Sequence, residues 1–242
     1  MDRLTRHQLK HDEFRETFDR FEEYVKQHYR GIINVAVLVI AAVGLALGLK
    51  YYVDRQEAAA NVDLGAALKT FRAYVGAPAP GTLGADAETF PTATEKYKKA
   101  LEQFNAIIQK YRMYPRPKAA AFARYHIGVC QALLGDHAAA ITTLQEASRD
   151  RDREVSALAQ FALAGEFANT GKLQEAVKIY QELADRPTLS VPKATALLAM
   201  ADAYRESKPA QARQIYERME KEFGSDATLA QVLKQQISSL PQ

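Results

Sequence analysis

Five histidines, one cysteine and scattered carboxylates are the side chains of this 242-residue chain with types suited to chemistry. His7 and His11 stand one helical turn apart, a spacing that metal sites use, and Asp12 or His28 would be the further ligands. Neither a thiolate nor a fixed turn supports them, and a closed site wants about four ligands, so no metal residue is assigned. His126 and His137 fall within and just after a helical stretch and read as structural, partly exposed histidines rather than general bases. Cys130 stands alone, makes no intramolecular disulfide, and reads as a packing residue, because a free cysteine is commonly buried. The chain contains no Gly-rich phosphate loop, HExxH, paired-cysteine motif or GxSxG elbow. With no convergent polar site, no catalytic or cofactor-binding residue is assigned and no cofactor is expected; the chain reads as a non-enzyme.

The elements that position these residues announce themselves by a repeat. Gly128, Gly135, Asp136, Ala140 and Ala147 are followed by Ala164, Gly171, Ala176 and Tyr180, and both Gly135 to Gly171 and Ala140 to Ala176 are steps of 36. A third copy holds Ala201, Tyr204, Ala212, Tyr216 and Met219, again with 36 residues from Ala176 to Ala212 but with one residue missing from its turn. Ala100 and Phe104 belong to an upstream copy. Small residues at such positions let two helix backbones approach while larger side chains fill the flanking gaps.

These positions resemble the tetratricopeptide repeat, in which a helix, a turn and a second helix pack antiparallel. Tyr125, Ile127 and Gly128 sit where its first helix expects an aromatic residue, a Leu and a Gly. Leu133 to Asp136 read as that helix's end and turn, and Ala140, Leu144 and Ala147 as the second helix. The resemblance covers residues 60 to 223 and implies an all-α solenoid of about four helical hairpins. An unrelated Ala-rich bundle is the competing reading, and three in-register copies argue against it.

Gly31 to Leu49 is a run of nineteen residues without a charge, bordered by His28, Tyr29 and Arg30 and by Lys50, Tyr51 and Tyr52. A bilayer needs about 20 mostly apolar residues, and aromatic and basic borders suit its interfaces. The run is too long and too far from the start for a cleaved signal peptide, and a core helix would carry more polar residues than Asn34. It therefore reads as an uncleaved transmembrane helix. Seven Lys and Arg precede it, against Lys50 and Arg55 just beyond, which places the amino terminus in the cytoplasm and the repeats across the membrane. Residues 1–30 are then a cytoplasmic amphipathic leader, 31–49 the span, 50–225 the repeat domain and 226–242 a C-terminal capping helix.

In the leader, Phe14, Phe18, Phe21 and Val25 fall on one helical stripe. The stripe suits the inner membrane surface, a dimer partner or a cytoplasmic protein, and sequence does not rank these. Gly44 and Gly48 form a small-xxx-small pair that suits either homodimer packing or a lipid-facing placement. Beyond the span, no proline interrupts Lys50 to Tyr74, so the membrane helix is expected to continue into the first repeat. Residues 76–94, with Pro78, Pro80, Gly81, Gly84 and Pro91, read as a flexible insert between the two helices of that repeat. The net charge of +3 is spread over a mixed surface. Its densest basic group, Lys110, Arg112, Arg116 and Lys118, reads as a solvated turn between repeats, and no nucleic-acid partner is expected.

An array of this kind presents a groove built from the first helices of successive repeats to an extended or helical peptide. The repeat register puts Phe122, His126, Val129 and Leu133, then Gly165 and Asn169, then Asp202 and Arg205 on that groove; packing between neighbouring repeats is the other reading of each. The arrangement as a whole resembles the bacterial membrane-anchored tetratricopeptide proteins that include the ancillary subunit of the Sec translocon. That resemblance implies a single-pass inner-membrane protein whose periplasmic array meets translocon components, chaperones and exported polypeptides. Two other functions remain open: an assembly scaffold for an envelope or secretion complex, and a membrane regulator of a cytoplasmic enzyme acting through the leader.

Overall fold

The computed structural model describes residues 3–76, 88–113 and 116–240, with side chains from Lys26 onward except that of Ile32. The leader stripe Phe14, Phe18, Phe21 and Val25, and the His7, His11 and Asp12 group, lie outside the residues whose side chains are described. The chain is all-α: helices α1 (Arg3–Phe71), α2 (Ala93–Lys110), α3 (Lys118–Leu133), α4 (His137–Ala147), α5 (Arg153–Asn169), α6 (Leu173–Asp185), α7 (Lys193–Tyr204), α8 (Pro209–Phe223) and α9 (Ala227–Ser238). Its contacts divide it into two units, residues 1–55 and 56–242.

In the first unit the backbone is helical throughout its described part. The run from Ile33 to Leu49 exposes its large side chains, with Leu38 69%, Ile40 70% and Leu45 67% accessible. Burying one such side chain is worth about 1.5–3 kcal/mol, so a helix with this many left uncovered needs an apolar surrounding. It is long and apolar enough to cross a membrane.

The second unit is a series of antiparallel hairpins. Ala60, Leu64 and Ala67 of α1 pack with Ala100, Phe104 and Ile107 of α2 and with Ala119, Ala123, Ile127 and Cys130 of α3. A second core begins at Leu144 in α4 and runs through Leu163, Tyr180, Leu197 and Tyr216 to Leu233 in α9. The alanines at the repeat step, Ala140, Ala176 and Ala212, each have no accessible surface. In a close-packed interior a larger side chain at such a position would have to push its neighbours aside. Cys130 is also wholly buried, and burial pushes its thiol up to about 12, which keeps it protonated and unreactive.

Turn chemistry explains where the helices stop. In α3 the Gly135 N–H donates to the Ala132 carbonyl at 3.0 Å and the Asp136 N–H to the Gln131 carbonyl at 2.9 Å. The end of α5 repeats this with Gly171 to Ala168 at 3.1 Å and Lys172 to Phe167 at 2.7 Å. Both glycines are left-handed, with φ of +83° and +80°, a conformation that closes a helix at little cost only without a Cβ. Gly171→Ala is therefore expected to lose about 1 kcal/mol, read as a lower urea midpoint of the purified chain. After α7 the residue at the same step is Ser207, and no non-glycine residue among those described has positive φ. That turn instead closes with the Lys208 N–H on the Tyr204 carbonyl at 2.7 Å and with Pro209 opening α8.

The insert differs from a plain loop at its ends. Tyr74–Val75 (β1) and Thr89–Phe90 (β2) form a two-residue parallel ladder, and the Gly76 N–H donates to the Phe90 carbonyl at 2.8 Å. Thr70 donates to Glu88 at 2.9 Å, and Thr92 caps α2 by accepting the Glu95 N–H. Residues 77–87, with Pro78, Pro80, Gly81 and Gly84, lie outside the described residues.

Candidate protein-binding groove

A groove along this array has to be made by side chains that the hairpin cores leave over. The first helices α3, α5 and α7 touch in sequence, α3 against α5 and α5 against α7, whereas α4, α6 and α8 make no comparable approach to one another. The first helices thus form one continuous wall. A step of 36 residues from α3 to α5, and of 37 from α5 to α7, aligns four rows across it: Phe122, Leu158 and Thr195; His126, Ala162 and Ala199; Val129, Gly165 and Asp202; Leu133, Asn169 and Glu206.

Phe122, Val129 and Gly165 are half-buried, while Leu133 and Asn169 are exposed. A Cβ on Gly165 would meet only the Tyr180 hydroxyl at 3.6 Å, so this position carries a shallow, open floor. Leu158, Ala162 and Ala199 are half-buried on the same wall and were not singled out from the sequence, although counting one repeat on from Phe122 and His126 reaches the first two of them. The middle of the wall is small and apolar.

His126 sits differently from its neighbours. Its ring stacks on Phe104 at 5.0 Å and 10°, and meets Phe71 at 5.2 Å and Tyr125 at 4.8 Å edge-on. Burial, helped by the Arg72 charge, lowers its pKa to about 4, and its Nδ1 has no hydrogen-bond partner among the described residues. The neutral ring therefore serves as an aromatic plate joining α1, α2 and α3.

Two polar positions are held from neighbouring helices. Tyr216 Oη donates to Asp202 Oδ1 at 2.5 Å, and an Arg205 guanidinium N–H donates to Ser239 Oγ at 2.7 Å. Burial and the Asp202 bond push the Tyr216 phenol above its usual range. Because Tyr216 has no accessible surface, Tyr216→Phe is expected to cost about 1–3 kcal/mol through the lost charge-assisted bond; a melting curve unchanged from the parent would show the bond to be idle. Asn169 Nδ2 donates to Glu166 Oε1 at 3.4 Å, and the buried Glu166 carboxylate also meets His137 Nδ1 at 2.7 Å. His137 thus ties α4 to α5 and supplies the partner that a buried carboxylate requires.

A family model described as a tetratricopeptide repeat matches residues 122–150 and 195–226, which are the α3–α4 and α7–α8 hairpins. The array is tetratricopeptide-like. None of the curated proteins compared matches the chain. Tetratricopeptide arrays are, in general, protein-interaction modules and not enzymes. Two hairpins thus match by sequence pattern, and the α5–α6 hairpin between them shares the turn geometry of the α3–α4 hairpin.

Proposed function

We propose that this chain is a single-pass inner-membrane protein of a bacterium, anchored through residues 31–49 with its amino terminus in the cytoplasm. Its tetratricopeptide-like array then binds polypeptides in the periplasm. The observation that carries this reading is the pairing, in one chain, of an uncovered apolar helix with an array whose first-helix wall is open and weakly charged. Such a wall suits many segments held loosely, since no cluster of cations or amides fixes one terminal group. The resemblance to the ancillary translocon subunit supports a role beside the translocon, receiving exported chains. Asn169 and Arg205 contribute little to specificity in this account, because each already has a partner within the array.

Photocrosslinkers at Leu38 in the span and Phe122 on the wall test the assignment in membranes. Translocon subunits captured from Leu38, with varied exported proteins from Phe122, are expected. A single folded partner at Phe122 with no translocon at Leu38 would instead establish an assembly scaffold. Release of the chain by alkaline carbonate would remove the anchor from the account.

A further inference from the structure

The loop before α3 was read from sequence as a solvated turn, but folding brings a second basic segment against it. Arg112, Arg116, Lys118 and Arg124 line one cleft of about 690 Å³ together with Arg149 and Arg151 from the turn between α4 and α5. Six cations share the cleft with two carboxylates, Asp150 and Asp152. Both carboxylates are engaged by backbone donors. Asp150 accepts the Asp152 N–H at 2.9 Å, and Asp152 accepts the N–H groups of Glu154 and Val155 at 2.9 and 3.3 Å. One long ion pair, Lys118 to Asp152 at 3.8 Å, falls inside the cleft. Among the described residues Arg112, Arg124, Arg149 and Arg151 form no ion pair. Such a gathering of unpaired guanidinium groups is costly by mutual repulsion unless an anion joins them, and guanidinium forks match phosphate oxygens.

The surroundings of the cleft indicate the source of that phosphate. Lys118 donates its backbone N–H to Glu57 at 2.9 Å. Glu57 comes eight residues after Leu49, the last residue of the apolar run. Eight residues reach at most about 28 Å, so the covalent chain limits how far Glu57 can stand from the end of that run. Beside Arg112, the apolar side chain of Met113 is 71% exposed. An exposed apolar side chain next to a cleft cation in the chain suits a lipid surface, where the hydrocarbon lies just beneath the phosphates; a dissolved anion has no use for it. We propose that this cleft binds the phosphate groups of anionic lipids, seating the array on the membrane surface with Met113 in the interface. The proposal rests on residues 31–49 being a membrane span.

The test uses the full chain with Met113→Cys carrying a polarity-sensitive fluorophore; buried Cys130 stays unlabelled. It is reconstituted into vesicles of phosphatidylcholine alone, and of phosphatidylcholine mixed with phosphatidylglycerol. Flotation with neutral vesicles reads the span, and the label reads the cleft. A blue shift confined to phosphatidylglycerol vesicles is expected, abolished by about 1 M salt and not reproduced by adding glycerol phosphate to neutral vesicles. Arg149→Gln and Arg151→Gln remove cleft cations far in sequence from the label; both side chains are exposed and bear no ion pair among the described residues, so the fold stays intact. Each should lower the ratio of docked to free label about fivefold. A chain that floats but shows no shift overturns the cleft and leaves the span standing. A shift produced by glycerol phosphate or by polyglutamate in neutral vesicles assigns the cleft to a dissolved phosphate or an acidic protein and overturns the lipid source. A chain that does not float overturns both.

Discussion

Replacing Gly128 by alanine is expected to destabilise the array by about 1–3 kcal/mol, the cost of forcing volume into a filled core. A Cβ there would lie 2.6 Å from Cγ and 2.8 Å from Cδ2 of Leu144, and Leu144 has no accessible surface into which to retreat. Alanine gains about 1 kcal/mol of helix propensity over glycine, so the measured loss is what remains after that gain is overcome. Gly165→Ala provides the contrast: with only the Tyr180 hydroxyl at 3.6 Å, propensity wins and stability should rise slightly. The decisive comparison is Gly128→Ala alone and with Leu144→Ala, measured by urea denaturation of the detergent-solubilised chain. Leu144→Ala alone should cost about 2–5 kcal/mol. In the double variant the two losses should fall well short of additive, because each removes the other's clash or void. Full additivity would mean that α3 and α4 do not meet at these two residues.

Acidification is expected to weaken the first two hairpins through His126. Its ring has an ordinary pKa of 6.5 when unfolded and about 4 when folded. Above pH 6.5 it is neutral in both states and pH has no effect through it. Between pH 6.5 and about 4 the unfolded chain binds a proton that the folded chain does not, so stability falls as pH falls, and below about 4 the loss levels off. The full shift corresponds to on the order of 3 kcal/mol. Carboxylates titrate in the same window, so the comparison is with His126→Phe, which keeps the stack on Phe104 and removes the buried unpartnered Nδ1. That variant should match or exceed the parent at pH 7 and lose the His126 share of the acid slope. An identical slope in both proteins would place His126 in water rather than in the aromatic cluster.

Much of the hairpin architecture was written locally. A glycine that alone tolerates left-handed backbone ends α3 and α5, an Asp or Thr that caps an N–H opens α2, α4, α5 and α9, and a wholly buried alanine recurs at the repeat step in α4, α6 and α8. What depends on partners distant in sequence was not legible. The environment of His126 is set by Phe71 and Phe104 from other helices, and those of Asp202 and Arg205 by α8 and the end of α9. The turn after α7 lacks the glycine signal altogether, and its closure rests on the hydrogen bond from the Lys208 N–H to the Tyr204 carbonyl and on Pro209. The ladder at the ends of the insert is too short to leave a strand pattern. Charge was misleading for a related reason: Arg149 and Arg151 are far in sequence from Arg112 and Arg116, and only folding makes them one cleft.

The first-helix wall of the tetratricopeptide-like array is expected to be a polypeptide-binding surface. Photocrosslinkers placed in turn at Val129, Gly165 and Ala199 on the wall, and at Gln145, Lys178 and Glu217 on exposed positions of α4, α6 and α8, test it in native membranes. The account predicts protein adducts from the three wall positions, shared among them, and little from the three outer ones. Equal capture from both sets, or capture from the outer helices alone, would contradict it.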